Sequence, residues 1–187
     1  MANQANLNKG EIMATDLTCG SSGSTGAEVT QRINQLSRLD PRATGHLLTA
    51  INVDVNDSTT VLLECMDNIK TQRSGFEVDL TGHRLINRSG HDFESVIVTI
   101  GLNVRFSGTE QLDVWAYKNG NPYATSEFTI KGEGTNKPSA VFWQSDISLA
   151  DGDYIDLRVK NAASGSFTCV LERVQFRIDA DFKDVIA

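Results

Sequence analysis

One stretch of the chain, FESVIVTIGLNVRF at positions 93–106, restricts the fold more than any other. Every even position from 96 to 106 is apolar, and polar residues such as Thr99, Asn103 and Arg105 stand at odd positions between them. A period of two places the apolar side chains on one face of a strand, whereas a helix needs a period near 3.6. This stretch therefore predicts a long strand with one face in a core.

The same period recurs through the second half of the chain. FEVDL at 76–80, YIDLRVKN at 154–161 and FTCVLERVQFRI at 167–178 all alternate apolar and polar residues. In the last stretch the apolar phase changes near Glu172, so both halves can face one core only if the strand carries a β-bulge there. Short strands with turn signals between them and no helical period among them predict an all-β fold, an antiparallel β-sandwich of the jelly-roll type.

Composition divides the chain into three parts. Residues 1–26 are polar, small and glycine-rich, ending in CGSSGSTG, which predicts an extended or flexible N-terminal arm. Residues 27–45 are predicted to hold one short α-helix and a linker, because apolar residues there recur at helical spacing. Residues 46–187 are predicted to form the jelly-roll sandwich.

The arm and the helix each carry a small set of apolar side chains. In the arm these are typical of a docking peptide, although a frayed terminus has the same composition. In the helix they form a narrow stripe, which packs either on the sandwich or on copies of the same helix. The arm residues are Ile12, Met13 and Leu17, and the helix residues are Val29, Ile33 and Leu36.

Charge and hydropathy exclude several classes of partner. The formal net charge of −7, with Lys and Arg scattered along the chain, argues against binding to nucleic-acid phosphates. No apolar run approaches the ~20 residues that span a bilayer, and the N-terminus lacks the apolar segment of a secretory signal. We therefore expect synthesis in a cytoplasm and a protein that binds neither nucleic acid nor membrane.

Residues that often carry chemistry show no catalytic spacing. The histidines have no HxH or HExxH pattern, and no GxSxG motif is present. Cys19, Cys65 and Cys169 form no CxxC pair, and the last two stand in alternating runs typical of buried structural thiols. We expect no enzyme activity, no cofactor and no catalytic metal.

An acidic stretch leaves one metal question open. Asp151, Gly152 and Asp153 follow Asp146 by a few residues and offer carboxylate oxygens to calcium. A tight turn explains the same Asp-Gly-Asp sequence without any ion. The sequence leaves both interpretations open, a calcium site and a tight turn.

The stretch QLDVWAYKNGNPYATSEFTI at 111–130 predicts a hairpin. Asn119 and Gly120 are the residues that a type I′ turn requires, since both central positions need positive φ. Trp115 and Tyr117 share one strand face, and together with Trp143 they form a candidate aromatic surface. Packing within the chain or between subunits is favoured over glycan binding, because the other side of the strand is apolar too.

From this hairpin onward the order of motifs resembles the trimeric jelly rolls of tumour necrosis factor and the complement globular heads. In those proteins a strand ends in a Lys-Asn-Gly hairpin, a later strand has the pattern L-x-x-G-D-x-I-x-L, and an aromatic-bearing strand comes last. The matching residues here are Leu149, Gly152, Asp153, Ile155 and Leu157. The resemblance covers residues 76–178 and implies a homotrimer.

Similar patterns occur in virion accessory proteins of tailed bacteriophages, where an arm docks and a knob projects. That resemblance implies a non-enzymatic structural virion protein of the capsid-decoration or head-fibre type, made in the host cytoplasm. It would decorate or project from the capsid as a trimeric knob, with its arm on other capsid proteins. The alternative is a tail-fibre or receptor-binding tip that recognises host surface glycan through exposed aromatic side chains.

Overall fold

The computed structural model describes residues 41–73 and 75–180, and every regular element in those ranges is a β-strand. In chain order the strands are β1 Arg42–Leu47, β2 Ile51–Asn56, β3 Val61–Leu62, β4 Asn68–Arg73, β5 Phe76–Asp79, β6 Arg84–Asn87, β7 Phe93–Arg105, β8 Gln111–Lys118, β9 Asn121–Pro122, β10 Phe128–Lys131, β11 Pro138–Leu149, β12 Tyr154–Asn161 and β13 Ser166–Ala180.

The strands form two antiparallel sheets. Sheet A is six-stranded and has the order β11-β7-β13-β1-β4, with β2 also paired to β13. Sheet B is seven-stranded and has the order β10-β8-β12-β6-β5, with β3 paired to β12 and β9 paired to β8. One core of buried apolar side chains draws on both sheets. The predicted antiparallel β-sandwich is confirmed.

The start of the sandwich differs from the prediction. β1 begins at Arg42, earlier than position 46, and pairs with both β13 and β4. Its sequence RATGHL shows little strand propensity because Ala43 and Gly45 are small. A Cβ added at Gly45 would lie 1.9 Å from the Met66 sulfur, so a larger residue there would displace the Met66 side chain from the core. The predicted helix with its apolar stripe lies outside the described residues.

The long strand β7 fixes the middle of the core. Its even-numbered residues from Val96 to Val104, and Phe106 after the strand, are all buried, as the period of two predicts. Burying a side chain of this size contributes about 1.5–3 kcal/mol. β13 pairs with β7, and the register of the pair shifts between Leu171 and Arg173. This shift confirms the predicted bulge at Glu172 and lets both halves of β13 face the core.

The turn between β8 and β9 is also confirmed. Asn119 and Gly120 have φ values of 50° and 77°, and Lys118 pairs with Asn121 across the turn. The Asn119 side chain then bonds to the turn before β12. Its amide nitrogen donates to Asp153 Oδ1 at 2.6 Å, and its oxygen accepts from the Tyr154 amide at 3.0 Å. The hairpin is therefore held against the Asp-Gly-Asp turn.

Two cysteines contribute to the core. Cys65 and Cys169 are both buried free thiols, which confirms their predicted burial. Removal from water raises the pKa of Cys65 to about 12 and that of Cys169 to about 11. A thiol with so high a pKa stays protonated near neutral pH and is a poor nucleophile. Both residues are therefore suited to packing.

Candidate interaction surface

The outer surface of sheet A, called face A below, is formed by outward-pointing residues of neighbouring strands in register. Phe142 of β11 lies opposite Gly101 of β7, Gly101 lies opposite Gln175 of β13, and Gln175 lies opposite His46 of β1. None of these four residues belongs to the core. The row crosses four strands and places an aromatic ring at one end and an imidazole at the other.

Apolar exposure is concentrated on sheet A. The described residues include five exposed large apolar side chains, and four of them lie in sheet A or directly after β1. Phe142 is 69% exposed, Leu48 is 63% exposed and Ile97 is 39% exposed. Single exposed apolar side chains are common, but several on one sheet face mark an interaction surface.

A groove of about 510 Å³ crosses face A. It lies between β1, β13 and β7, and its outward-facing lining residues are His46, Leu48, Gly101, Asn103, Arg173 and Gln175. The Nε2 atom of His46 and the Oδ1 atom of Asn103 are buried and have no hydrogen-bond partner among residues 41–73 and 75–180. Buried polar atoms of folded proteins are nearly always paired, so these two atoms accept a partner that enters from the groove, either water or a group of another molecule.

The charges around the groove are unevenly paired. Arg173 forms no ion pair with any residue of the described ranges, whereas Arg42 pairs with Asp179 at 2.6 Å at the other end of face A. Burial is the main cause that lowers the pKa of His46, the positive charge of Lys70 lowers it further, and Asp67 opposes both. The groove therefore presents a neutral imidazole and an unpaired guanidinium near neutral pH.

The outer surface of sheet B, called face B below, is covered by its own side chains. The Arg158 guanidinium lies 4.4 Å from the ring centre of Tyr117, and the Lys160 ammonium lies 5.3 Å from that of Trp115. Arg158 also pairs with the buried Asp156 at 3.1 Å. Cation–π contacts of this kind fix the aromatic rings and shield them from solvent.

These contacts place the three predicted aromatic residues. Trp115 and Tyr117 lie together on face B, as the alternation indicates, and Tyr117 is only 8% exposed. Trp143 lies elsewhere, on the edge strand β11, where its ring stacks on Phe128 with centroids 5.7 Å apart. The structure thus brings two of the three together and separates the third.

The carboxylates of the acidic stretch hold loops together. Burial alone would raise the pKa of Asp153, but hydrogen bonds from Asn119, Lys118 and Ala150 lower it overall. Asp151 accepts a bond from the Gly90 amide at 2.9 Å, and Asp146 accepts one from the Ser95 hydroxyl at 3.1 Å. Within the described ranges no three His, Cys, Asp or Glu side chains are placed to hold a metal ion.

Other predicted site residues cannot be placed. The arm residues Ile12, Met13 and Leu17 and the helix stripe Val29, Ile33 and Leu36 lie outside the described residues. Within residues 41–73 and 75–180 no helix could cross a membrane.

Sequence reasoning did not bring the residues of face A together. The adjacent residues Phe142 and Trp143 did indicate an apolar outer face. Neighbouring residues of a strand point to opposite faces, so only one of the two rings can enter the core. Gly101, Asn103 and Arg173 had no such signal. They are ordinary outward positions until the register of β7 and β13 places them around one groove.

Comparisons with known proteins agree with the fold. No family model and no curated protein matches the chain. The structure of Eiger TNF from S. frugiperda is 14% identical, with 77% of this chain and 95% of that chain covered and a TM-score of 0.53. The globular domain of zebrafish complement 1qA protein is 9% identical, with 71% and 96% covered and a TM-score of 0.43. The first likeness shows the fold alone, a jelly roll of the tumour-necrosis-factor kind.

Proposed function

We propose that the chain is a non-enzymatic structural protein that works as a homotrimer, with face A as the surface through which copies associate. The observation that carries this proposal is the contrast between the two outer faces. Face A holds exposed apolar side chains and a groove with unpaired buried polar atoms, whereas face B covers its aromatic rings with its own cations. Association with a second copy would therefore bury more apolar surface and pair more polar atoms on face A than on face B.

The size of face A suits such an interface. The strands β7, β11 and β13 have 13, 12 and 15 residues, which gives a length of roughly 40 Å at ~3.3 Å per residue. Five neighbouring strands ~4.8 Å apart give a width of roughly 20 Å. The product, about 800 Å², is what each partner of a standard interface buries. The number of copies follows from the resemblance to trimeric jelly rolls.

The setting that we propose is the surface of a tailed-phage particle. The sandwich would decorate or project from the capsid, and the arm with Ile12, Met13 and Leu17 would dock on a capsid protein. The order of a polar arm, a predicted helical segment and a sandwich along the sequence supports this setting. Three arms in one trimer would bind together at high effective concentration, so weak anchors suffice.

The same observations weigh against the glycan-binding alternative. A sugar ring would have to stack on Trp115 or Tyr117, and both rings already lie beside Lys160 and Arg158. No second candidate function is favoured by a specific contact.

A matched pair of substitutions tests the proposed association. Ile97 on β7 is 39% exposed and Leu62 on β3 is 38% exposed, but they belong to opposite sheets. Ile97→Asp should weaken the trimer by ~100-fold or more, because an unpaired carboxylate buried in an interface costs about 3 kcal/mol. Leu62→Asp should leave the trimer intact. Size-exclusion chromatography with light scattering would show three times the 20.4 kDa chain mass for the wild type and for Leu62→Asp. A monomeric wild type, or equal effects of the two substitutions, would contradict the proposal.

The arm is tested separately in the full-length chain. The triple substitution Ile12→Asp, Met13→Asp and Leu17→Asp should abolish co-sedimentation with shells of the major capsid protein encoded in the same genome. The trimer itself should persist, because its proposed contacts lie on face A. Undiminished co-sedimentation of the triple variant would overturn arm docking while leaving the trimer proposal standing.

A further inference from the structure

The outer edge of face A carries a stripe of three different chemical groups. Phe142, Gln144 and Asp146 stand at every second position of β11, and all three are exposed. We call these three residues the β11 stripe. At ~3.3 Å per residue the stripe is roughly 13 Å long. It offers an aromatic ring, then an amide, then a carboxylate.

These groups have few bonds of their own. Gln144 makes no side-chain hydrogen bond to any described residue, and Phe142 makes no ring contact there. Asp146 accepts one hydrogen bond, from the Ser95 hydroxyl, and pairs with no cation of the described ranges. Within the described part of the chain, the stripe therefore keeps most of its aromatic and hydrogen-bonding capacity unused.

The groove carries a matching set of unpaired groups. At Gly101 no side chain fills the floor of the groove. A Cβ added there would meet only the Cβ of Gln175, at 3.8 Å. Among the described residues Asn103 Oδ1 lacks a donor and His46 Nε2 lacks a partner. No anion of the same part of the chain pairs with Arg173. An aromatic ring suits the open floor, an amide offers the donor and the acceptor that these polar atoms call for, and a carboxylate suits the guanidinium.

Asp146 of the stripe cannot reach Arg173 of its own chain. Asp146 lies opposite Ile97, whereas Arg173 lies opposite Asn103. Ile97 and Asn103 are six residues apart on β7, which is roughly 20 Å. An Asp146–Arg173 pair therefore exists only between two copies.

We propose that the β11 stripe of one copy occupies the groove of the next, with Phe142 over Gly101, the Gln144 amide on Asn103 and His46, and Asp146 paired with Arg173. The inference rests on the proposed homotrimer and specifies its contact. Because the stripe and the groove are different surfaces, the contact is head-to-tail, and three such contacts close a ring. This contact also supplies the two buried polar atoms with partners.

A charge exchange tests the pairing. Arg173→Glu and Asp146→Arg should each weaken trimer association about tenfold, since each places like charges across the contact. The double variant should recover to within about threefold of the wild type, because the pair is restored with its signs reversed. Sedimentation equilibrium at low salt measures the association constants. Phe142→Ala should weaken association without changing the midpoint of urea unfolding measured on the monomer.

A matched control lies on sheet B. Arg88 is exposed and pairs with Glu77 at 3.0 Å within one chain, so Arg88→Glu should leave association unchanged. Additive losses in the Arg173→Glu, Asp146→Arg double variant, or wild-type association of Phe142→Ala, would overturn the stripe-and-groove contact. The proposed homotrimer would survive that result if Ile97→Asp still dissociates it. A monomeric wild type would overturn both.

Discussion

Face A and face B are outer surfaces of the same sandwich, and both consist of strands with charged side chains at outward positions. On face B two central cations have partners within the chain. Arg158 lies over Tyr117 and pairs with Asp156, and Lys160 lies over Trp115. On face A, Arg173 borders a groove and forms no ion pair with the described residues. Arg158 thus has partners within its own chain, whereas Arg173 has no ion-pair partner among the described residues.

The difference shows that composition alone does not decide which face of a sandwich binds. Both faces expose some apolar surface and both carry arginine. Arg42 and Asp179 of face A are paired across two strands as well. What differs is the cross-strand neighbour of one arginine on each face. Arg158 lies opposite Trp115, next to Tyr117, whereas Arg173 lies opposite Asn103, whose side-chain oxygen is itself unpaired. An interface is expected where register leaves complementary groups without partners.

The largest expected effect separates the two arginines. Arg158→Ala should lower the free energy of unfolding by about 2 kcal/mol, because it uncovers Tyr117 and leaves the Asp156 carboxylate, only 4% exposed, without its cation. Arg173→Ala should change the stability of the monomer by less than about 0.5 kcal/mol. Urea unfolding of each variant, followed by tryptophan fluorescence, measures both values.

Association should respond in the opposite order. Arg173→Ala should weaken the trimer, and Arg158→Ala should leave the association constant unchanged at concentrations where the variant is folded. Arg158→Lys serves as the control for charge, since it keeps the cation but loses the planar group that stacks on Tyr117. Equal losses of association for Arg158→Ala and Arg173→Ala would remove the distinction between the faces.

The sequence predicts the features of the fold that depend on local spacing. The even-numbered residues of β7, the bulge at Glu172 and the turn at Asn119 and Gly120 each follow from a period or from a required φ. β1 does not follow from local spacing, because Ala43 and Gly45 carry no strand signal and Gly45 lacks the Cβ that would collide with Met66. That requirement comes from a residue distant in sequence, so no local pattern contains it.

The candidate site depends almost entirely on register. The groove collects His46, Gly101, Asn103 and Arg173 from β1, β7 and β13, and the chain connects these strands in an order that alternation cannot supply. Trp115 and Tyr117 are candidate site residues in the sequence because two aromatic side chains share one strand face. Their coverage by Arg158 and Lys160 depends on the pairing of β8 with β12. Periodicity assigns a residue to a face, and only pairing decides what that residue meets.

The smallest expected effect concerns His46, which lies at the groove. Burial and Lys70 lower the pKa of His46 below 6.5 in the folded chain, so the unfolded chain takes up a proton first as the pH falls. The stabilisation is therefore present above pH 6.5 and is lost as the pH falls from 6.5 through the lower folded-state value. The carboxylates with lowered pKa, such as Asp153, lose their contribution in a separate range below about 3.8.

Replacing the imidazole isolates this effect. Between pH 7.5 and pH 5.5 the urea midpoint of the wild type should fall, and the His46→Gln variant should fall less, because glutamine does not titrate. The difference between the two slopes cannot exceed the uptake of one proton per chain. Face B contributes no part of the difference, since Arg158 and Lys160 keep their charge over this range. Identical slopes for the wild type and His46→Gln would show that the imidazole is not sequestered at face A, and the contrast between the two faces would then rest on Arg173 and Asn103 alone.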